Sequence, residues 1–294
     1  MPLRDLADLL ILGAIWGASY PFMRVAAPEF GPVALIFVRV AMAAVLLGVV
    51  IARQGLWRSL RGRGAAVAVV GAINTAAPFT LFAFASLSLP AGLNAVLNAT
   101  VPLFGAVVGL AWLGQRLPRG RLAGLALGFG GVIALAAPSL ARAENALAVG
   151  AALSATMCYA VAAHYARETL TGVPPLAAAG SSQVAAALLL APLAAALARP
   201  PAPPATAWTA AVCLGVFCTA AAYALYFRLL SRAGATTAMA VTYLIPVFGV
   251  AWGAAFLGER LPVSALAGGL LVLAGVAMTT WRPSPLMPAS GRPH

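Results

Sequence analysis

The chain contains no lysine and carries little charge of either sign. Of its 294 residues, eighteen are Arg and six are Asp or Glu, so charged residues make up 8%. A soluble domain carries about 25% charged residues, so this composition argues against a water-soluble globular enzyme. Long polar low-complexity segments are also missing, which excludes a disordered protein. The three cysteines, Cys158, Cys213 and Cys218, lie inside apolar runs and predict neither a disulfide framework nor a metal site.

Apolar residues are abundant instead. They make up 63% of the chain, and the mean hydropathy is +0.97. One membrane crossing by a helix needs about 20 apolar residues. Loop signals divide the chain into ten such segments, which predicts an all-α polytopic membrane protein. The predicted helices lie at residues 5–25, 31–51, 65–88, 91–114, 122–138, 147–166, 174–198, 207–230, 234–257 and 263–281.

The arginines are distributed unevenly between the loops. If the N-terminus is cytoplasmic, thirteen arginines lie on the cytoplasmic side and four on the opposite side, while Arg39 lies within the second span. Cytoplasmic loops of membrane proteins are enriched in positive residues. The pattern therefore predicts that both termini, including a tail at 282–294, are cytoplasmic. It also explains the net charge of +12 without a nucleic-acid partner.

A segment of the first half reappears in the second half. Residues 101–118, VPLFGAVVGLAWLGQRLP, align without gaps with residues 245–262, IPVFGVAWGAAFLGERLP, and ten of the eighteen positions are identical. Chance similarity between apolar helices is confined to residues such as Ala and Leu, whereas Pro, Phe, Gly and Arg coincide here. We therefore expect two repeats of five helices, at 5–138 and 147–281. Because five is odd, the second repeat must be inverted in the membrane, an arrangement common in secondary transporters.

These motifs resemble those of the EamA family of the drug/metabolite transporter superfamily. The similarity rests on the Pro-x-Phe-Gly-x4-Gly helix, the Leu-Gly-Glu-Arg-Leu-Pro exit at 257–262 and the Gly-rich helix that follows, and it extends along essentially the whole chain. Gln115 departs from the pattern, since the first repeat of the family often has Glu there. The resemblance implies an exporter of small metabolites in the bacterial inner membrane, and the aromatic and neutral amino acid exporters are the most similar group.

Polar and aromatic side chains inside the spans are the candidates for substrate contact, because polar groups are costly in lipid. Asn94 and Asn98 are one helical turn apart and share a face with Pro102. Packing and interhelical hydrogen bonds are the alternative interpretation. Pro102 and its repeat counterpart Pro246 are the predicted bending points. The predicted lining, an uncharged surface suited to an apolar side chain, consists of Trp16, Tyr20, Asn74, Phe79, Asn94, Asn98, Tyr159, Tyr223, Thr242 and Tyr243.

Arg39 is the one basic residue well inside a predicted span, and no carboxylate lies in a span to pair with it. We expect a structural role in which Arg39 bonds freed backbone carbonyls, with contact to a substrate carboxylate as the alternative. Gln183, 144 residues later, would perform the neutral version of this role. Proton-driven carriers usually bury an Asp or Glu. The nearest candidates, Glu259 and His164, are expected to cap a loop and to bond locally, which favours downhill transport or exchange.

An intramembrane enzyme is the competing class. Catalysis would need a nucleophile with its base, a pair of Asp residues or a metal motif. The sequence has neither an H-E-x-x-H nor a G-x-S-x-G motif, and His164 and His294 are its two histidines. We therefore expect no enzymatic activity, no cofactor and no metal. The expected partners are a small-molecule substrate and the lipid bilayer, and carriers of drugs, nucleosides or sugar-type metabolites remain alternatives. The oligomeric state stays open.

Overall fold

The computed structural model describes residues 2–112, 114, 117–140, 142–197 and 202–280. Within these ranges the chain forms ten helices that are long and apolar enough to cross a membrane, which confirms the predicted all-α polytopic fold. The predicted tail at 282–294 lies outside the described residues, as does Gln115. The helices are α1 Leu3–Phe30, α2 Pro32–Arg53, α3 Gly64–Ala85, α4 Ala91–Ala111, α5 Arg119–Ala136, α6 Ala143–Thr169, α7 Pro175–Ala196, α8 Ala205–Ala235, α9 Thr237–Leu257 and α10 Val263–Thr280.

Helix α1 is longer at both ends than the sequence predicts. Its first turns contain Asp5 and Asp8, whose side chains are largely buried. Arg232 Nη2 lies 2.7 Å from an Asp5 carboxylate oxygen, and Arg228 Nη2 lies 2.7 Å from an Asp8 carboxylate oxygen. These ion pairs neutralise the acidic residues and join the start of α1 to the end of α8.

Three helices contain local irregularities near the centre of the molecule. The turns widen to π-helical geometry at Ala72–Ala76 in α3 and at Cys213–Ala221 in α8. Helix α4 is interrupted after Asn98 and resumes at Val101. Such irregularities redirect side chains and free backbone groups, and they frequently occur at functional sites.

The helices pack in pairs that join the two halves of the chain, with α5 on α10, α2 on α7, α1 on α9 and α4 on α6. Glycines permit the closest approaches. A Cβ atom on Gly131 of α5 would lie 2.6 Å from the backbone nitrogen of Val272, and one on Gly17 of α1 would lie 2.6 Å from Phe248 Cβ. Small residues at helix interfaces are the usual means of close association in membranes. The remaining space in the middle of the bundle is a cavity.

Candidate functional site

A cavity of about 1340 Å³ lies between the helices. Most of its wall comes from α1, α3, α4, α6, α8 and α9, with contributions from α2, α5 and α10. Met239 and Thr280 at one end of the cavity are exposed, whereas Tyr20, Met23 and Phe82 at the other end are buried. The cavity is therefore open at one end of the bundle and closed at the other.

All the predicted lining residues except Asn94 border this cavity. Asn94 is fully buried at the closed end, where its Nδ2 donates hydrogen bonds to the Phe82 carbonyl at 3.0 Å and to Ser86 Oγ at 2.9 Å. The cavity ends between Asn98 and Asn94, because the last turn of α3 covers Asn94. The residues that the cavity brings together are Trp16, Tyr20, Asn74, Phe79, Asn98, Tyr159, Tyr223, Thr242 and Tyr243.

Two aromatic clusters form part of the wall. The α3–α6 cluster consists of Phe79, Phe82 and Tyr159. The α1–α8 cluster consists of Trp16, Tyr223 and Tyr226. The ring centroid of Tyr159 is 6.5 and 6.2 Å from those of its two partners, and that of Trp16 is 6.3 and 5.5 Å from those of its partners. These distances are typical of aromatic pairs, so the wall presents rigid apolar faces.

Two arginines border the cavity, so the prediction of an uncharged lining is wrong. Arg39 of α2 borders the cavity with 5% of its surface exposed, and Arg121 borders it near the open end. Arg39 Nε donates a hydrogen bond to Thr219 Oγ1 at 2.9 Å, and its guanidinium carbon lies 4.1 Å from the centroid of the Phe79 ring. We expected Arg39 to bond freed backbone carbonyls, but its hydrogen-bond acceptor is the Thr219 hydroxyl. Thr219 Oγ1 itself donates to the Leu214 carbonyl within the widened turn of α8.

The other residues singled out inside the spans occupy different environments. Gln183 is fully buried in α7 away from the cavity, and neither of its amide atoms has a hydrogen-bond partner among the described residues. Pro102 borders the cavity just after the interruption in α4, whereas Pro246 lies outside the cavity lining, within the Val241–Leu257 part of α9 that follows a turn at Ala240. His164 borders the cavity and bonds locally, with Nδ1 2.8 Å from the Ala160 carbonyl oxygen.

A polar cluster around Glu259 holds the closed end together, and the sequence did not predict the residues that Glu259 contacts. Both carboxylate oxygens of Glu259 accept a hydrogen bond from the backbone nitrogen of Ala91, at 2.8 and 3.0 Å. Arg24 Nη1 donates to the carbonyls of Ser86 at 2.8 Å and Leu87 at 2.7 Å, and Arg24 Nε lies 3.9 Å from Glu259. Glu259 therefore caps the N-terminus of α4, where the helix dipole favours a negative charge, instead of its own loop. We call Arg24, Glu259 and Ala91 the closed-end latch.

Metal ligation has no support in the part of the chain that the structure describes. No group of three His, Cys, Asp or Glu side chains there is arranged to hold a metal ion. The arrangement instead offers aromatic faces, hydroxyl and amide groups and one deeply placed guanidinium group. Such a set can bind a small organic molecule without chemically changing it.

Comparisons with known proteins show what this chain is similar to. A family model, described as the EamA-like transporter family, matches residues 6–137 and 146–281. A "Probable terminal-alkyne amino-acid exporter" of Streptantibioticus cattleyicolor is 27% identical over 93% of this chain and 92% of its own. The "Uncharacterized transporter YvbV" of Bacillus subtilis is 24% identical over 92% of this chain and 89% of its own. A solved structure, described as "Crystal structure of protein", covers 95% of this chain and 98% of its own with a TM-score of 0.64; at 17% identity it shows the fold alone.

Proposed function

The chain belongs to the EamA-like transporter family, and from this premise we propose that it exports small neutral metabolites, chiefly aromatic and apolar amino acids, across the bacterial inner membrane. The observation that carries the proposal is the central cavity with its two aromatic clusters. Aromatic faces with a few polar groups suit a substrate that has an apolar body and a polar end. The exporter name of the relative from Streptantibioticus cattleyicolor supports the amino acid class.

The correspondence of the two aromatic clusters supports an inverted repeat. Phe79 and Phe82 of α3 stand 144 residues before Tyr223 and Tyr226 of α8. The first helix of the opposite half completes each cluster, since Trp16 of α1 packs on α8 and Tyr159 of α6 packs on α3. The two halves thus build equivalent walls of one cavity. In a carrier with two inverted halves, each half in turn opens the same central site to one side of the membrane.

The direction of the opening supports an inward-facing state. The open end of the cavity lies beside Arg121 and Thr280, at the end where the arginine distribution places the cytoplasm. At the other end, α1 packs on α9 and the closed-end latch joins α1, α4 and the end of α9. Alternating access would then release this latch while α6 approaches α9. Bending near Pro102, where α4 is already interrupted, would assist that movement.

The carboxylates support transport by exchange or downhill flow. All six acidic residues of the sequence lie within the described ranges, and none of them borders the cavity. Buried carboxylates along the pathway are a usual element of proton-driven carriers. We therefore propose that substrate movement does not require a proton carried by an intramembrane acidic group.

Counterflow in proteoliposomes tests the proposed function. Vesicles loaded with unlabelled amino acids are given labelled Phe, Trp, Met, Thr, Glu or Lys. We expect saturable uptake of the neutral members, with Phe and Trp the strongest, and none of Glu or Lys. Tyr159→Ala removes a ring from the cavity and should lower Phe uptake several-fold, whereas Tyr165→Ala, on the same helix but outside the cavity lining, should not.

Two outcomes of this experiment would contradict the proposal. One is the absence of counterflow for every amino acid, and the other is equal uptake of neutral and charged amino acids.

The cavity volume exceeds the range of about 300–1,000 Å³ that is usual for ligand pockets. Nucleosides and drug-like molecules are therefore the second candidate class, and the same vesicles loaded with unlabelled nucleosides test them.

A further inference from the structure

Among the residues that the structure describes, the guanidinium group of Arg39 is a buried charge that makes no ion pair with an acidic side chain. The backbone of Arg39 lies about 10 Å along α2 from Pro32, the first residue of that helix, and its side chain borders the cavity. All six Asp and Glu side chains of the sequence lie in the described ranges and are elsewhere: Asp5 and Asp8 pair with arginines of α8, Glu259 belongs to the closed-end latch, and the others are exposed. An arginine at such a depth keeps its charge and normally pairs with a carboxylate or with polar backbone groups.

The contacts of Arg39 fix its orientation and leave donors free. Thr219 holds Nε at 2.9 Å, the Phe79 ring supports one face of the group, and Nη1 has a weak contact with Met23 Sδ at 3.9 Å. Nη2 makes no hydrogen bond to any residue that the structure describes, and it is not among the fully buried polar atoms, so it keeps accessible surface in the cavity. A planar guanidinium with free donors on one edge has the geometry that binds a carboxylate.

The second half of the chain does not supply an equivalent cation. Gln183 stands 144 positions after Arg39, and Thr75 stands 144 positions before Thr219. Both side chains are fully buried away from the cavity. Arg121, the other arginine of the described cavity wall, lies near the open end. Among the described residues of the cavity wall, Arg39 is therefore the single positive group in the deep part, beside aromatic faces, and it would orient a substrate that has one anionic end.

We propose that Arg39 binds the carboxylate of the transported substrate, so that the carrier selects molecules with a free carboxylate next to an aromatic or apolar body. This inference rests on the proposed function and specifies its substrate class. The substrate completes the ion pair that the protein leaves open, and its apolar part lies against the rings of the two aromatic clusters. Among amino acid derivatives, the carboxylate is then the group that recognition requires.

Competition binding to the purified full-length protein tests this inference. The probe is labelled phenylalanine, and the competitors are 3-phenylpropanoate, phenylalaninamide and phenethylamine. The first keeps the carboxylate and lacks the amine, whereas the other two lack the carboxylate. We expect 3-phenylpropanoate to compete, and the two compounds without a carboxylate to compete about 10- to 100-fold more weakly than phenylalanine, the range of a hydrogen bond to a charged group.

Substitution of Arg39 separates recognition from a structural role. Arg39→Gln should bring the preference for phenylalanine over phenylalaninamide close to one, and Arg39→Lys should keep part of it, because lysine supplies charge without the planar fork. Arg53→Gln, at the exposed end of the same helix, is the matched control and should keep the full preference. A structural defect alone would weaken both ligands equally and leave their ratio unchanged.

The results that would overturn the inference differ from those that would overturn the proposed function. If phenylalanine undergoes counterflow but wild-type protein binds phenylalaninamide equally well, Arg39 does not bind the carboxylate, although the amino acid carrier stands. A preference retained in Arg39→Gln leads to the same conclusion. If phenylalanine neither binds nor undergoes counterflow, both proposals fail. Should Arg39→Gln not fold, the wild-type competitor series and Arg39→Lys decide the question.

Discussion

The closed-end latch makes a quantitative prediction about which end of the cavity opens. Glu259 receives two hydrogen-bond contacts from the Ala91 nitrogen, and its side chain is 16% exposed. A hydrogen bond to a charged group contributes about 1.5–3 kcal/mol. The contact of Glu259 with Arg24, at 3.9 Å and partly exposed, adds about 0–1 kcal/mol. If the latch is either closed or open, Glu259→Ala should raise the fraction of molecules that are open at this end about 10- to 100-fold.

Glu259→Gln should have an intermediate effect. The amide oxygen can still accept a hydrogen bond from the backbone of Ala91, but a neutral bond is roughly half as strong as a charge-assisted one. The expected increase in the open population is therefore about 4- to 10-fold. The open population should therefore increase from wild type to Glu259→Gln and again to Glu259→Ala, because the first change removes the charge and the second also removes the acceptor.

Cysteine labelling at Ala91 measures this population. Ala91 is fully buried at the closed end and does not border the cavity, so an Ala91→Cys thiol reacts with a maleimide when the closed end opens. The three native cysteines are first replaced by alanine or serine. Glu29→Ala, an exposed acidic residue at the same end of α1, is the matched control. Equal labelling rates in wild type and Glu259→Ala, or an equal increase in Glu29→Ala, would refute the role of the latch.

Two further predictions concern stability, measured by thermal unfolding in detergent. Gly17→Ala places a Cβ atom 2.6 Å from Phe248 Cβ and should lower the free energy of unfolding by about 1–3 kcal/mol as α1 separates from α9. Gly150→Ala, whose Cβ would have no atom within 4 Å, should be neutral or stabilising. Equal unfolding temperatures for the two variants would contradict the packing argument. Arg232→Gln leaves the Asp5 carboxylate, 7% exposed, without its partner at 2.7 Å, whereas Asp5→Asn leaves a half-exposed arginine in contact with solvent. We expect Arg232→Gln to be more destabilising by about 1–3 kcal/mol, and the reverse order would show that burial of Asp5 does not control the cost.

The number of spans could be predicted from the sequence because lipid requires long apolar helices with satisfied backbones. The partners of the acidic residues at the start of α1 could not be predicted. Asp5 and Asp8 lie at the N-terminal end of the predicted helix 5–25, and the arginines that neutralise them come from α8, with Arg232 standing 227 positions after Asp5. Long-range pairing of this kind leaves no local signal.

The site was predictable to the extent that position in a span determines environment. Aromatic and amide residues near span centres border the cavity because the bundle encloses it there. The spacing of Asn94 and Asn98 defines a shared helix face but not where the cavity ends, which depends on the last turn of α3. Thr219 could be noticed because its counterpart at the 144-residue offset is Thr75, yet its bond to Arg39 depends on the packing of α2 against α8.

A structure of the protein with phenylalanine bound would show whether Arg39 and the two aromatic clusters form the substrate site. We expect density for the amino acid inside the cavity, with its ring against the aromatic clusters and its carboxylate within hydrogen-bond distance of the Arg39 guanidinium. Density for phenylalanine at a site outside the cavity, or an empty cavity at a saturating concentration, would show that Arg39 and the aromatic clusters do not bind the substrate.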